Sequence, residues 1–304
     1  MSDAEQAQHR RALILMLIAP LLWSIAGVVT RNLSPELQTH GRFEITFWRS
    51  VFAATFVGGY LLLVRRDLTG ALRRAGAPGI VSGFMWATMF VCFMLALTLT
   101  STANTLIVLA VAPLITAILA RAMLKTPIPL RTWVAIAIAM AGIVWMFAGG
   151  LRIESSTSLL GMLIAFGAPL ASAINFVVLK KRGQSVDLIP AVFLGGVISS
   201  TLMLPLALPF IAGPRDLVLL AVLGFFQLGL PCMLLVIAAR TLSATELALL
   251  ALLEVLLGPL WAWLGAGEVP ANTTVLGGTL VLGALVLNEL AAARSRGLTR
   301  ARVG

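Results

Sequence analysis

Apolar runs of about 20 residues, separated by short polar or basic links, recur along this chain from residue 12 to residue 292. At a rise of about 1.5 Å per residue, a run of that length matches the ~30 Å hydrocarbon layer of a bilayer. Bounded by charges, Pro and Gly, the windows predict ten membrane-spanning helices at 12–31, 44–64, 76–98, 102–121, 130–148, 157–179, 188–211, 216–239, 244–264 and 271–292. Only "TLTST" (98–102) and "ARTLSAT" (239–245) separate two of the pairs, yet merging either pair gives a helix too long for a bilayer. The predicted fold class is therefore all-α, a polytopic membrane protein.

Composition agrees with the pattern: 60% of the 304 residues are hydrophobic and only 11% charged, where a soluble domain carries about 25%. The net charge of +10 changes the picture only as topology, because the basic residues lie between apolar windows rather than in one stripe with aromatics, which argues against a nucleic-acid partner. With the N-terminus inside, 17 of the 22 Lys and Arg fall in cytoplasmic segments, and only Arg31, Arg42, Arg152 and Arg215 fall outside. This bias predicts both termini in the cytoplasm. The start "MSDAEQAQHRR" runs into the first span without a small-residue cleavage site, so that span is expected to be retained. Cys92 and Cys232 both sit in apolar windows and are expected as packed thiols.

Self-comparison shows a repeat. "STANTLIVLAVAPLITAILA" from Ser101 lies over "SATELALLALLEVLLGPLWA" from Ser243 at an offset of 142, and "PLLWSIAGVVTR" from Pro20 lies over "PLASAINFVVLK" from Pro169. The reading is two five-span halves, 12–148 and 157–292, flanked by cytoplasmic tails 1–11 and 293–304. Because five is odd, the second half enters from the opposite side. That makes an inverted-topology repeat, an arrangement secondary transporters use around a midplane site.

With "LLWSIAGVVTR", "FWRS" around Arg49, "APL" at 112–114 and "LLEVLLGPLWAWLGAGEVP" at 252–270, the chain resembles the drug/metabolite transporter superfamily, in particular its ten-helix EamA-type members. Two positions depart from the family pattern: Val255 stands where Pro often follows the Glu, and Leu124-Lys125-Thr126 replaces the Leu-Gly-Glu turn of the first half. Within the superfamily the sequence is most similar to exporters of amino acids, including aromatic ones. The resemblance implies a central cavity lined by spans 1, 3, 4, 6, 8 and 9, with spans 5 and 10 at the periphery.

Individual residues sharpen this. Ser243-Ala-Thr-Glu246 reads as a capping box, and Ser101-Thr-Ala-Asn104 starts the fourth span in the same way, with Asn104 either capping or facing the cavity. Glu254 lies eight residues deeper than Glu246, near the midplane, where a carboxylate must face other helices or water, or be neutral. It serves either as interhelical glue or as a group for proton coupling or a substrate ammonium. Arg49 is expected to snorkel to the outer interface or to pair with Glu44, with a direct role in binding substrate as the alternative. Gln227 and Asn175 are mid-span amides that need partners inside the protein. Trp23, Met85, Trp86, Met89, Phe90 and Trp261 supply bulk and polarisable surface that suit large apolar or aromatic groups. The expected cavity set is thus Trp23, Met85, Trp86, Met89, Phe90, Asn104, Asn175, Gln227, Glu254 and Trp261.

No G-x-x-x-x-G-K-[ST] motif occurs, so ATP is not the expected energy source. Neither a cofactor nor a metal is expected, and the expected partners are small-molecule substrates and membrane lipids, with the protein monomeric. The functional reading is a secondary transporter of the inner (plasma) membrane that exports amino acids or related metabolites by alternating access. A channel would fit the span count too. An intramembrane enzyme would need paired carboxylates, paired His or a nucleophile with its base, whereas His9 and His40 lie outside the spans and the twelve acidic residues are scattered.

Overall fold

The computed structural model describes residues 3–148, 156–266 and 271–301, and within them it is helical with no strand. The elements are α1 (Asp3–Trp23), α2 (Ala26–Arg31), α3 (Pro35–His40), α4 (Arg42–Leu63), α5 (Leu68–Leu99), α6 (Thr102–Leu109), α7 (Ala112–Leu124) and α8 (Leu130–Phe147) in the first half. The second half contains α9 (Ser156–Arg182), α10 (Ile189–Ala207), α11 (Pro214–Val222), a π-helical segment (Leu223–Gly229), α12 (Leu230–Ala238), α13 (Ala244–Ala251), α14 (Leu253–Ala266) and α15 (Asn272–Ala301). Arg152 and most of the expected turn after the ninth span, 267–270, lie outside the described residues.

Among the described residues, nine helices are long and apolar enough to cross a membrane, and their positions follow nine of the ten predicted windows. The remaining window, the ninth at 244–264, is folded as α13 and α14, which meet at Leu252. The third span is longer than the pattern indicates because an interfacial segment, Leu68–Ala75, is joined to it. Gly76, at φ 53°, turns the chain between the two, a backbone conformation open to glycine at no steric cost. Asp67 caps this segment by accepting the Gly70 N–H at 2.8 Å.

Four of the spans are interrupted near their middles. α1 gives way to α2 at 24–25, α6 to α7 at 110–111, α11 to α12 through the π segment, and α13 to α14 at 252. Proline explains part of this. Pro113 and Pro231 each lack an N–H and leave a carbonyl one turn earlier without its helical donor; at Pro231 the preceding turn widens, with the Leu230 N–H reaching Phe225 O. Val255 stands where Pro113 falls after the 142-residue offset, yet the helix still breaks at Leu252. The joint in the second half therefore does not depend on a proline at that position.

The halves meet in exchange-related pairs. Span 3 packs on span 6 (α5 on α9), as span 8 packs on span 1 (α12 on α1). Span 3 packs on span 7 (α5 on α10), as span 8 packs on span 2 (the π segment on α4). Spans 2 and 7, 4 and 9, and 5 and 10 pair with each other. A pseudo-two-fold relation between the halves would produce this pattern. α10 and α4 approach closely because Gly196 has no side chain: a Cβ there would lie 2.8 Å from the Ser50 carbonyl. Ser50 and Ser199 hydrogen-bond at 2.9 Å across the same seam. α8 packs chiefly on α15, at the edge of the bundle.

Candidate functional site

The four interrupted spans converge on a cavity of about 150 Å³. Among the described residues its walls come from spans 1, 3, 4, 6, 8 and 9, with Arg49 the one contribution from span 2 and none from spans 5, 7 and 10. The joints themselves face it: Trp23 ends α1, Ala112 begins α7, Leu252 separates α13 from α14, and Gln227 and Leu228 belong to the π segment. Trp86, Met89, Phe90 and Phe93 line one side from successive turns of α5, and Phe176 faces in from α9. The Trp86 and Phe90 rings lie 5.9 Å apart at 34°.

Two ionisable side chains of opposite sign share this mostly apolar space. Glu254, half-buried in the first turn of α14, makes no hydrogen bond or ion pair among the described residues. Arg49, in α4, is only 4% exposed and donates from Nη2 to Gln227 Oε1 at 2.7 Å. Gln227 in turn donates from Nε2 to the Trp23 carbonyl at 3.4 Å, at the end of α1. A chain of contacts thus ties span 2 to the wide turn of span 8 and the joint of span 1.

Of the residues expected in the cavity, Trp23, Trp86, Met89, Phe90, Gln227 and Glu254 line it, and Met85, Asn104, Asn175 and Trp261 do not. Met85 sits one turn before Met89 on α5, half-buried and outside the cavity lining. Asn104 is fully buried where α6 begins, donating to Thr100 Oγ1 at 2.8 Å, while its own N–H is capped by Ser101. Asn175 accepts from Ser82 Oγ at 2.6 Å and binds span 6 to span 3. Trp261 donates to Ser24 Oγ at 2.8 Å, fastening span 9 to the joint of span 1.

Arg49 corrects the expectation from sequence. It neither snorkels outward nor pairs with Glu44, because Glu44 is committed elsewhere: it accepts the backbone N–H groups of Ile211 and Ala212 at 2.9 and 3.0 Å and the Trp48 indole at 3.2 Å. With Glu44 occupied in sealing the 210–212 turn, Arg49 is left to face inward. An arginine inside an apolar window was the available signal, but sequence alone does not show which way its helix face is turned.

The polar ends of the bundle hold structural contacts. Asp216 accepts from the Ser34 N–H and Oγ, both at 2.8 Å, and Arg240 contacts Asp187 at 3.0 Å at the opposite end. Ser243 accepts the Glu246 N–H at 3.2 Å while Glu246 accepts the Ser243 N–H at 2.7 Å, the expected capping box. His9, Glu246 and Glu289 gather within 4.8 Å of one another there, so these acidic groups are less scattered than the sequence indicates.

The EamA-like transporter family matches this chain twice, over residues 10–148 and again over 159–290. The chain belongs to that family. As an EamA-like transporter it is a multi-pass membrane protein whose substrates are small molecules. It is 25% identical over 283 residues to the pseudopaline exporter CntI of Pseudomonas aeruginosa (strain UCBPP-PA14), covering 91% of this transporter and 95% of that protein. A solved crystal structure 17% identical in sequence aligns with a TM-score of 0.78, covering 93% of this transporter and 98% of the other chain, and so shares its fold.

Proposed function

We propose that this transporter exports amino acids, aromatic and other apolar ones included, or closely related metabolites, by alternating access. It works in the inner (plasma) membrane with both termini cytoplasmic and the two five-span halves rocking about the central site. The observation that carries the reading is the cavity at the convergence of four interrupted helices, apolar and aromatic in most of its lining and holding Glu254 and Arg49. Aromatic walls bind a side chain by area and ring stacking, and the two polar residues can bind what the side chain is attached to. Interrupted helices supply joints at which a span can bend while its two ends stay packed. The relative named as an exporter supports the outward direction.

The test is counterflow of labelled phenylalanine and leucine in proteoliposomes, with and without a pH gradient, comparing wild type with Glu254→Gln. Trans-acceleration by internal unlabelled solute supports a carrier. High flux without trans-acceleration points to a pore and sinks the alternating-access reading. A pH response that survives unchanged in Glu254→Gln removes Glu254 from any proton coupling.

A further inference from the structure

Arg49 has one hydrogen bond among the described residues, to the neutral amide of Gln227, and its Nε has no partner. A guanidinium offers five N–H donors and keeps its charge, so burying it with a single neutral acceptor is costly unless something else completes the shell. The nearby carboxylates do not do so. Glu44 is occupied by the 211–212 backbone and by Trp48, and Glu254 lines the same cavity without an ion pair to Arg49. What remains for the free donors is the cavity itself.

We propose that Arg49 is the docking point for a carboxylate on the transported solute. Gln227 is a positioning residue that fixes the guanidinium against the joint of span 1. The inference rests on the transport reading above and names the part of the solute that it leaves open. Arginine's planar fork suits a carboxylate or a phosphate equally. Glu254 decides between them: with one fixed cation and one carboxylate, the cavity is balanced for a solute carrying both charges, whereas a phosphate dianion would be repelled. The chemical class is therefore a zwitterion, with its carboxylate at Arg49, its ammonium toward Glu254 and its apolar group against Trp86, Phe90 and Phe176.

The test removes groups from the solute as well as from the protein, so it survives a variant that fails to fold. In proteoliposomes containing the wild-type chain, counterflow of labelled phenylalanine is competed by phenylalanine, phenylalaninamide, phenethylamine and phenyl phosphate. The last three are expected to compete at least tenfold less well than phenylalanine. In Arg49→Gln the advantage of phenylalanine over the amide and the amine should disappear, and Arg49→Lys should restore part of it. Gln227→Leu should raise KM for phenylalanine more than it lowers the maximal rate.

If phenethylamine competes as well as phenylalanine in the wild type, the carboxylate site is wrong while the transport reading stands. Tighter competition by phenyl phosphate makes the site a phosphate site and overturns the zwitterion. If phenylalanine is not moved at all, the transport reading fails. Arg49 is then judged by thermal stabilisation of the detergent-solubilised full chain by 3-phenylpropionate against 3-phenylpropanamide. A preference for the carboxylate that Arg49→Gln abolishes retains the anion site, and equal stabilisation removes it.

Discussion

Placing a phenyl ring at Ala251 should stop transport without unfolding the protein. Ala251 is the last residue of α13, half-buried, and lines the cavity just before the joint at Leu252. The cavity measures about 150 Å³, and a cavity of about 150 Å³ can bind one benzene ring. Ala251→Phe adds such a ring, which takes the space that a solute's apolar group would occupy. Forcing extra methylenes into a filled core costs about 1–3 kcal/mol, but here the ring enters existing cavity space. The expected shift in thermal midpoint is at most about 2–4 °C, the change that ~1 kcal/mol produces in a domain of comparable size. Counterflow in proteoliposomes should fall at least tenfold, about 1.4 kcal/mol in the flux ratio. Ala251→Ser, which adds one small atom, should keep near-wild-type flux. Wild-type flux in a folded Ala251→Phe would mean that solute does not pass through this cavity, and the assignment of the site would fall with it.

Two further outcomes follow from residues away from the cavity. Ser82→Ala strips Asn175 of the donor at its Oδ1 and should cost about 1–3 kcal/mol of stability, read as a lower unfolding midpoint in detergent, while KM for the solute stays unchanged. A change in KM without a loss of stability would return Asn175 to the binding site. At the span 2–3 link, the hydrogen bond from Arg74 and the Gly70 N–H hold the Asp67 carboxylate below its ordinary range. A lowered folded pKa gives stability that is present above the unfolded value and lost as pH falls through the folded one. The unfolding midpoint of Asp67→Asn should therefore lie below wild type near neutral pH and converge with it below about pH 4. Parallel curves across that range would remove the linkage.

The spans were legible because hydropathy at a fixed length is a bilayer-scale signal, and the caps at Ser101 and Ser243 were legible because four residues suffice to specify them. The joints were less so. Pro113 and Pro231 lie at two of them, but Pro169 lies inside the unbroken α9 and the break at Leu252 has no proline or glycine beside it, so proline position alone does not locate the joints. The inward turn of Arg49 is not legible for a related reason. Its destination depends on Glu44 being taken by the 211–212 backbone, 167 and 168 positions away in sequence, and no window around Arg49 contains that information. Trp86 and Trp261 show the same limit: both lie deep in spans, but one faces the cavity while the other is tied to Ser24.

The interrupted helices also bear on which solutes the cavity can accept. Irregular backbone at membrane depth is tolerated where it is buried in protein or lines an aqueous space, since hydrocarbon offers its peptide groups nothing. Here Trp23, Ala112, Leu252 and Gln227 place the joints on the cavity wall. A solute loaded there meets two ionisable side chains and the backbone of the joints as well as an apolar wall. A purely apolar molecule would fill the volume but leave those polar groups without a partner, so the joints also act as a filter against hydrocarbons.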